Sequence, residues 1–308
     1  MTARLLFVSM KHFLSIEKLT RAEILALLES AREYKATRGK SVSRPLQGQI
    51  WALLFSKPST RTRVSFEVGV RELGGGVMFL SQGDIQLGRG EPIRDTARVL
   101  GRMVHGAVIR TFAQNDVEEF ARYSGIPTIN ALTDEEHPCQ IIADLLTIFE
   151  KRRTLEDLKV CFIGDGDCNV ARSWIWAAER LGFELRITAP PNYQPSPDFK
   201  RQITNPKIYF PTVAAEGAAG ASVLYTDVWV SMGKEVESAQ RLSDLARFQI
   251  NRELLQMAAP GALVLHCLPA YRGKEITEEI LEAHAQTIFD QAENRLHAQK
   301  AILADVVR

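Results

Sequence analysis

The sequence predicts an α/β fold with two domains, each a mainly parallel sheet flanked by helices. At 308 residues the chain is long enough for two domains of about 150 residues, each with its own core. Short apolar runs alternate with helical patterns in both halves, which is typical of parallel sheets joined by right-handed crossovers. We expect one domain over 1–149 and a second over 150–290, with a last helix at about 291–308 that packs back on the first domain.

The first half opens with a capping box, in which Thr20 and Glu23 start a helix that runs to about residue 37. The apolar run 50–55 indicates a buried strand, and a helix follows it from near Ser59. Further strands are predicted at 77–80, 106–110 and 127–130, and further helices at 92–103, 116–123 and 140–153. The last of these helices carries two adjacent apolar stripes, so we expect it to be covered on most sides.

The second half repeats the alternation of strands and helices. Strands are predicted at 160–163, 184–188, 222–225 and 262–265, and helices at 171–181, 243–257, 278–284 and 293–307. Ligands of open parallel sheets bind beyond the carboxyl ends of the strands. The polar clusters that follow strands are therefore the candidate binding residues.

Composition excludes several classes of function. Lys and Arg (38) nearly balance Asp and Glu (37), which argues against a nucleic-acid partner. No apolar run approaches the roughly 18–20 residues that span a bilayer, so we expect no membrane partner. The four cysteines show no metal-binding spacing, and their small number predicts reduced thiols in a cytoplasmic protein.

The strongest chemical signal is the stretch 56–63, where the strand 50–55 gives way to a helix. The free N–H groups and positive dipole end of a helix favour a bound anion. Hydrogen-bond donors crowd at this turn, namely Lys57, Ser59, Thr60, Arg61 and Thr62. The alternative is an ordinary serine N-cap beside two solvated arginines. The number of donors favours a phosphate site.

The stretch 55–63, followed by Ser65-Phe66-Glu67, resembles the carbamoyl-phosphate signature of the aspartate/ornithine carbamoyltransferase family. The resemblance runs from Thr20 to the last helix and implies a carbamoyltransferase-like fold. It also implies that the donors of the 56–63 turn hold the phosphate group of carbamoyl phosphate.

The same resemblance assigns a second group of residues. The sequence 137–140 matches the His-Pro-x-Gln motif of the family, and two arginines occupy matching positions. The residues implied to hold the carbamoyl end are Arg110, His137, Gln140 and Arg295. When an amine attacks a carbamoyl carbon, negative charge develops on the carbamoyl oxygen, and fixed donors stabilise it. This chemistry requires no covalent nucleophile, metal or cofactor.

Gly164-Asp165-Gly166 follows a predicted strand and invites a dinucleotide-binding interpretation. The full GxGxxG pattern fails, because Asn169 stands where the third glycine should fall. The segment 164–171 instead resembles the turn that binds the amino-acid substrate in the ornithine branch of the family. That resemblance implies that Asn169 contacts the substrate's backbone groups, with Cys168 where relatives commonly have a second asparagine.

Two segments favour the ornithine branch over the aspartate branch. The sequence 227–233 matches Asp-x-Trp-x-Ser-Met-Gly, which implies that Asp227 binds the α-ammonium group and that Ser231 and Met232 close over ornithine. The sequence 266–269 matches His-Cys-Leu-Pro, where aspartate enzymes resemble His-Pro-x-Pro.

The His-Cys-Leu-Pro match implies that Cys267 and Leu268 also line the carbamoyl-phosphate site. It places the thiol near the side-chain amine of ornithine. A thiol with an ordinary pKa of about 8.5 could orient or deprotonate this amine together with Asp227, a role we state as a hypothesis. The bland alternative is that Cys267 is an inert buried residue.

The resemblance implies transfer of the carbamoyl group from carbamoyl phosphate to the side-chain amine of L-ornithine, giving L-citrulline and phosphate. A sister enzyme acting on putrescine or N-acetylornithine is the nearest alternative, and a non-catalytic binding protein on the same fold is another. Gln86 matches a residue that reaches a neighbouring subunit's phosphate site in the family. We therefore expect a homotrimer or a multiple of trimers.

Overall fold

The computed structural model of the protein describes residues 10–40, 43–83, 91–231 and 233–308. The chain divides into two compact units. Unit 1 comprises Met1–Leu146 and Glu293–Arg308, and unit 2 comprises Thr147–Ala292. Within the described ranges, no helix combines the length and the apolar composition that a membrane crossing requires.

Unit 1 is built on a four-stranded sheet whose neighbouring strands are all parallel. In chain order its elements are α1 (Arg21–Ala36), β1 (Ile50–Phe55), α2 (Thr60–Glu72), β2 (Gly76–Ser81), α3 (Ile93–Leu100), β3 (Gly106–Arg110), α4 (Gln114–Ser124), β4 (Thr128–Leu132) and α5 (Pro138–Arg152). The strand order is β2-β1-β3-β4, which confirms the predicted parallel architecture. Every residue of β3 and β4 is buried, as expected for a parallel sheet covered on both faces.

The topology of unit 1 determines where a ligand can bind. The chain leaves β1 for β2 on one side and then returns to β3 on the other, so the strand order reverses between β1 and β3. A crevice opens at such a switch point, beyond the carboxyl ends of the strands. Phe55 lies beside Arg110 in the register, and the Ser56 N–H donates to the Arg110 carbonyl oxygen over 2.8 Å. The turn after β1 and the arginine that ends β3 therefore lie together at this point.

Unit 2 is built on a five-stranded parallel sheet of order β7-β6-β5-β8-β9. Its elements are β5 (Lys159–Ile163), α6 (Asn169–Leu181), β6 (Glu184–Thr188), α7 (Pro197–Lys200), β7 (Ile208–Tyr209), α8 (Ala214–Ala218), β8 (Val223–Thr226), α9 (Ser238–Leu245), α10 (Arg252–Met257), β9 (Leu263–His266), α11 (Glu278–Ala283) and α12 (Ala285–Asp305). The division between the units falls inside α5 and α12. Leu224, Val264, Leu254 and Ile280 join strands and helices of unit 2 in one apolar core.

The strand order of unit 2 reverses between β5 and β8. The Thr226 hydroxyl, at the end of β8, donates to the Ile163 carbonyl oxygen at the end of β5 over 2.7 Å. Gly164 and Asp227 follow these two residues directly. The two predicted ornithine-binding segments therefore start from adjacent points at the same switch.

The structure differs from the sequence predictions at several elements. The single helix predicted over 243–257 is wrong, because the chain forms α9, a short 3₁₀ helix and then α10. Ile250 breaks the helix, since its N–H donates to the Glu275 carbonyl oxygen over 2.9 Å and Asn251 then caps α10. The last helix begins at Ala285 rather than at residue 293, and the two-residue strand β7 was not predicted.

Candidate functional site

The turn after β1 carries the N-terminus of α2, as predicted. Ser59 is the N-cap in extended conformation, and its hydroxyl accepts from the Thr62 N–H over 3.3 Å. The same hydroxyl donates to Oγ1 of Thr62 over 2.9 Å. Thr62 is completely buried, whereas Thr60 and Arg61 are exposed. The first turn of α2 therefore combines a fixed, buried hydroxyl with an exposed guanidinium group.

The three basic residues of this turn have different surroundings. Arg63 donates from Nε to Glu67 over 2.7 Å and stacks on the Phe79 ring. Lys57 is buried and forms an ion pair with Asp134. The sequence assigned Lys57 to phosphate, and it did not predict Asp134 as a neighbour. Lys57 thus already has a carboxylate partner in this structure.

Four predicted residues form what we call the cationic cluster of unit 1: Arg110, His137, Gln140 and Arg295. All four are at least nine-tenths buried. Arg295 lies in α12 and donates from Nη2 to Oγ1 of Thr62 over 2.6 Å, which ties the last helix to the start of α2. Burial, and then the guanidinium groups of Arg295 and Arg110, hold the pKa of His137 well below its ordinary value. At neutral pH His137 is therefore a neutral imidazole beside two permanent cations.

The loop that presents His137 is held by buried hydrogen bonds. The Thr133 N–H donates to the Glu136 carbonyl oxygen over 2.8 Å, and the Glu136 N–H donates to the Thr133 hydroxyl over 3.1 Å. The Glu136 carboxylate accepts from the Ile16 N–H over 3.0 Å and from the Ser15 hydroxyl. These hydrogen bonds pair the buried polar groups of Thr133 and Glu136 and stabilise the loop.

Gln140 is completely buried and has one partner that the sequence analysis missed. Its Nε2 donates to Oδ1 of Asp144 over 2.8 Å. Asp144 is also completely buried, one turn further along α5. The spacing of four residues in a helix is the signal that could have identified the pair.

The turn after β5 has a conformation that requires glycine. Gly164 has a φ of +136°, and a Cβ on Gly166 would lie 2.9 Å from the Tyr193 carbonyl oxygen. The Gly-x-Gly pattern is thus explained by backbone geometry alone. Cys168 caps α6, with its sulfur accepting from the Ala171 N–H over 3.5 Å, and half-buried Asn169 is the first helical residue.

Four residues form what we call the acidic cluster of unit 2: Asp227, His266, Cys267 and Glu275. Oδ1 of Asp227 accepts from the Cys267 thiol over 2.9 Å and from the Val228 N–H over 2.7 Å. Burial raises the pKa of Asp227 above its ordinary value, although His266 and these two hydrogen bonds oppose the rise. The ionised form of Asp227 is therefore less favourable than that of an ordinary carboxyl group.

His266 and Glu275 support the loop that carries Cys267 and Leu268. Both side chains are completely buried, and Nε2 of His266 lies 3.1 Å from Oε1 of Glu275. Nδ1 of His266 accepts from the Leu268 N–H over 2.8 Å. Asp227, His266 and Cys267 place ligand-type atoms within 4.8 Å of one another, the spacing of a metal site. Both ring nitrogens of His266 are already hydrogen-bonded within the chain, so the histidine is a poor metal ligand in this conformation.

Arg241 connects two predicted substrate segments, and the sequence analysis did not single it out. It is buried, forms an ion pair with Asp165 and donates from Nε to the Trp229 carbonyl oxygen over 3.0 Å. Asp165 belongs to the turn after β5, and Trp229 lies two residues before half-buried Ser231. Arg241 therefore fixes the Asp227–Ser231 segment against the turn that precedes Asn169.

Two predicted site residues, Gln86 and Met232, lie outside the described residues. The remaining predicted residues fall into two separate groups, one in each unit. The first group, the 56–63 turn and the cationic cluster, lies at the β1/β3 switch point. The second group, Asn169 and the acidic cluster, follows the carboxyl ends of β5, β8 and β9. The fold and sites thus define a two-unit parallel α/β protein with a donor-rich cluster in one unit and a carboxylate in the other.

Comparisons with known proteins agree with this description. The carbamoyl-P binding domain of aspartate/ornithine carbamoyltransferase matches residues 11–150, and the Asp/Orn binding domain of that family matches residues 156–306. An ornithine carbamoyltransferase of Akkermansia muciniphila is 62% identical over 297 residues, which cover 96% of this chain and 97% of that protein. The chain belongs to the aspartate/ornithine carbamoyltransferase family.

Solved structures of the family share the fold. The anabolic ornithine carbamoyltransferase of Campylobacter jejuni is 42% identical, with a TM-score of 0.91 over 96% of this chain and 99% of that one. The ornithine carbamoyltransferase of Pyrococcus furiosus is 40% identical, with a TM-score of 0.91 over 97% of each chain. These similarities confirm the carbamoyltransferase-like fold that the sequence predicted.

Proposed function

We propose that this protein transfers the carbamoyl group of carbamoyl phosphate to the side-chain amine of L-ornithine, giving L-citrulline and phosphate. The observation that carries this proposal is the pair of clusters at the two switch points, in a chain whose family includes ornithine carbamoyltransferases. The cationic cluster and the hydroxyls of the 56–63 turn offer hydrogen-bond donors, and the acidic cluster offers the half-buried carboxyl group of Asp227. The C. jejuni relative is an anabolic enzyme, which supports a role in arginine biosynthesis.

Unit 1, with the last helix, is proposed to bind carbamoyl phosphate. The N-terminus of α2 offers free N–H groups and hydroxyls to the phosphate, and the exposed Arg61 adds a two-pronged donor. The proposed phosphate ligands are Lys57, Ser59, Thr60, Arg61 and Thr62, together with Gln86. Binding through Lys57 requires it to share its ammonium group between Asp134 and the phosphate.

The cationic cluster is proposed to hold the carbamoyl group. As the ornithine amine adds to the carbamoyl carbon, the carbonyl oxygen gains negative charge, and phosphate leaves when the tetrahedral intermediate collapses. Arg110, neutral His137 and Arg295 supply fixed donors at this place, so little reorganisation is needed during reaction. Cys267 and Leu268, in the loop after β9, are proposed as further carbamoyl-phosphate ligands.

Unit 2 is proposed to bind ornithine. Asp227 pairs with the α-ammonium group, a charge-assisted contact that also restores a favourable environment for the ionised carboxylate. Asn169, Ser231 and Met232 contact the remaining amino-acid groups. Cys267 donates to Asp227 and so helps to keep the carboxylate charged.

A citrulline assay tests the proposal against its alternatives. Purified protein is incubated with carbamoyl phosphate and, in separate reactions, with ornithine, putrescine, N-acetylornithine or aspartate. We expect a ureido product from ornithine alone, because putrescine lacks the α-amino acid groups that Asp227 and Asn169 address. Turnover of another amine in preference to ornithine supports a sister enzyme, and no turnover of any amine supports a binding protein.

We also propose a homotrimer, or a multiple of trimers, with shared active sites in the cytoplasm. Four buried free thiols suit a reducing compartment. Sharing is tested by mixing Gln86→Ala chains with Arg61→Gln chains after dissociation. If sites are shared, a mixed trimer contains some sites with both substitutions and some with neither. Its activity should therefore differ from the average of the Gln86→Ala and Arg61→Gln proteins. Simple averaging contradicts sharing.

A further inference from the structure

The two ends of the Gln140 carboxamide have different surroundings. Its Nε2 donates to Oδ1 of Asp144 over 2.8 Å. Its Oε1 is buried and accepts no hydrogen bond from the described residues. A buried carbonyl oxygen without a donor is costly, so its retention calls for a partner that arrives with a ligand.

Asp144 determines which end of the amide points into the cluster. An amide group has two possible orientations of similar shape, with the oxygen and nitrogen exchanged. When Asp144 is ionised it only accepts hydrogen bonds, which places the NH₂ end of Gln140 toward it. Because both residues lie on α5 one turn apart and both are completely buried, neither can turn away to solvent. The carbonyl oxygen is thereby left as the acceptor.

Gln140 belongs to a cluster whose other members are donors. The Gln140 N–H bonds to the His137 carbonyl oxygen over 3.1 Å, so the two residues share the first turn of α5. His137 in turn lies close enough to Arg110 and Arg295 for their charges to lower its pKa. A carbamoyl group presents one acceptor oxygen and one NH₂ donor, which complements a set of donors with a single acceptor.

We propose that Asp144 is a positioning residue that makes the site selective for carbamoyl phosphate over acetyl phosphate. Acetyl phosphate has the same shape but carries a methyl group in place of the NH₂ group. With Gln140 held by Asp144, the methyl group faces an unpaired carbonyl oxygen, and sites built around such a hydrogen bond strongly reject analogues that lack it. This inference rests on the proposed function of the cationic cluster.

The test is the Asp144→Asn variant. The carboxamide that replaces the carboxylate can accept from Gln140 or donate to it, so both orientations of the Gln140 amide become available. Dissociation constants are measured for carbamoyl phosphate, acetyl phosphate and inorganic phosphate by calorimetry on the whole protein. We expect carbamoyl phosphate to bind about tenfold more weakly, the typical cost of one hydrogen bond, while acetyl phosphate and phosphate change less than about twofold. Asp144→Glu retains an acceptor-only group and should restore part of the selectivity.

A double-mutant cycle with Gln140→Met separates positioning from a general structural role. If Asp144 acts through Gln140, adding Asp144→Asn to Gln140→Met causes no further loss of carbamoyl-phosphate selectivity. Additive losses, or equal weakening of all three ligands by Asp144→Asn, overturn the proposal. Should Asp144→Asn fail to fold, Gln140→Met alone carries the test, and an unchanged ratio of carbamoyl-phosphate to acetyl-phosphate affinity overturns it.

Failure of the Asp144 proposal can be told apart from failure of the proposed transferase function. Citrulline formation by the unaltered protein is measured first. Its absence contradicts the transferase proposal itself. Citrulline formation together with an unchanged ligand ratio in Asp144→Asn contradicts only the role of Asp144.

Discussion

The cationic cluster of unit 1 and the acidic cluster of unit 2 occupy equivalent places in their sheets but carry charge in different ways. Unit 1 relies on guanidinium groups, which keep their charge at every physiological pH. Its titratable member, His137, is held neutral. In unit 2 the central group is Asp227, whose pKa is raised by burial and whose charge depends on its neighbours.

The difference indicates which substrate should control the pH dependence. A phosphate site made from arginines and helix N–H groups has little to titrate near neutrality. The second substrate must lose a proton from its side-chain ammonium group before it can attack, and its binding partner is itself titratable. We therefore expect citrulline formation to rise with pH from about 6 to about 9, mainly through the ornithine step. A flat profile over this range contradicts the assignment.

The largest expected effect comes from Arg61 in the first turn of α2. Arg61→Gln should lower kcat/KM by about 10²–10³-fold, because it removes a donor aimed at the phosphate. Arg63→Gln is the matched control, since Arg63 already bonds to Glu67 and stacks on Phe79. The measurement is steady-state kinetics with varied carbamoyl phosphate. Equal losses of kcat/KM in both variants would contradict the assignment of Arg61 as a phosphate ligand.

The second largest effect tests the acidic cluster. Asp227→Asn should raise the KM for ornithine about 100-fold, because the α-ammonium group loses its charged partner. The dissociation constant of carbamoyl phosphate should stay within about twofold, because Asp227 is proposed to bind ornithine and, of the acidic cluster, only Cys267 is proposed to contact carbamoyl phosphate. Asp244→Asn, which alters a carboxylate that accepts from Tyr193 and Gln240, serves as the control. If Asp227→Asn weakens carbamoyl-phosphate binding and Asp244→Asn does not, the assignment of Asp227 to ornithine is contradicted.

A smaller effect concerns acid stability. Because the folded state lowers the pKa of His137, the unfolded chain takes up this proton first as the pH falls. The associated stability is present in full above about pH 6.5 and is lost below it, by about 1–2 kcal/mol between about pH 7 and pH 5. Urea unfolding at these two pH values should therefore show a smaller pH effect for His137→Asn than for the unaltered protein. Equal pH effects would contradict a lowered pKa of His137 in the folded protein.

The smallest expected effect separates two roles of Cys267. Cys267→Ala removes a donor to Asp227, which should raise the pKa of that carboxyl group and move the acid limb of the pH–rate profile to higher pH. We expect a roughly threefold loss of kcat/KM near neutrality. Cys267→Ser keeps a donor and should restore most of this loss. Full kcat and an unchanged pH profile in Cys267→Ser would contradict an acid–base role of the thiol. A large loss in the serine variant supports the acid–base hypothesis.

Much of the fold was accessible from local patterns. The capping box at Thr20 and Glu23 forms as predicted, because both partners lie within one helical turn. The buried strand before Ser59 and the start of a helix near Ser59 were also correct. The helix predicted over 243–257 failed for a tertiary reason, since the backbone at Ile250 bonds to the distant segment at Glu275 and Thr277. Helical periodicity does not report such a competing partner.

By itself, the sequence determined which chemical groups follow each strand and at what spacing, because a strand, a turn and a helix cap depend on near neighbours. Only the tertiary structure decided which of those groups meet. Arg295 reaches Thr62 across 233 residues and the Cys267 thiol reaches Asp227 across 40, and neither contact has a local signature. Such contacts depend on the order of strands in the sheet and on where the last helix packs. The pKa shifts of His137 and Asp227 follow from the same packing, since burial and distant charges set them.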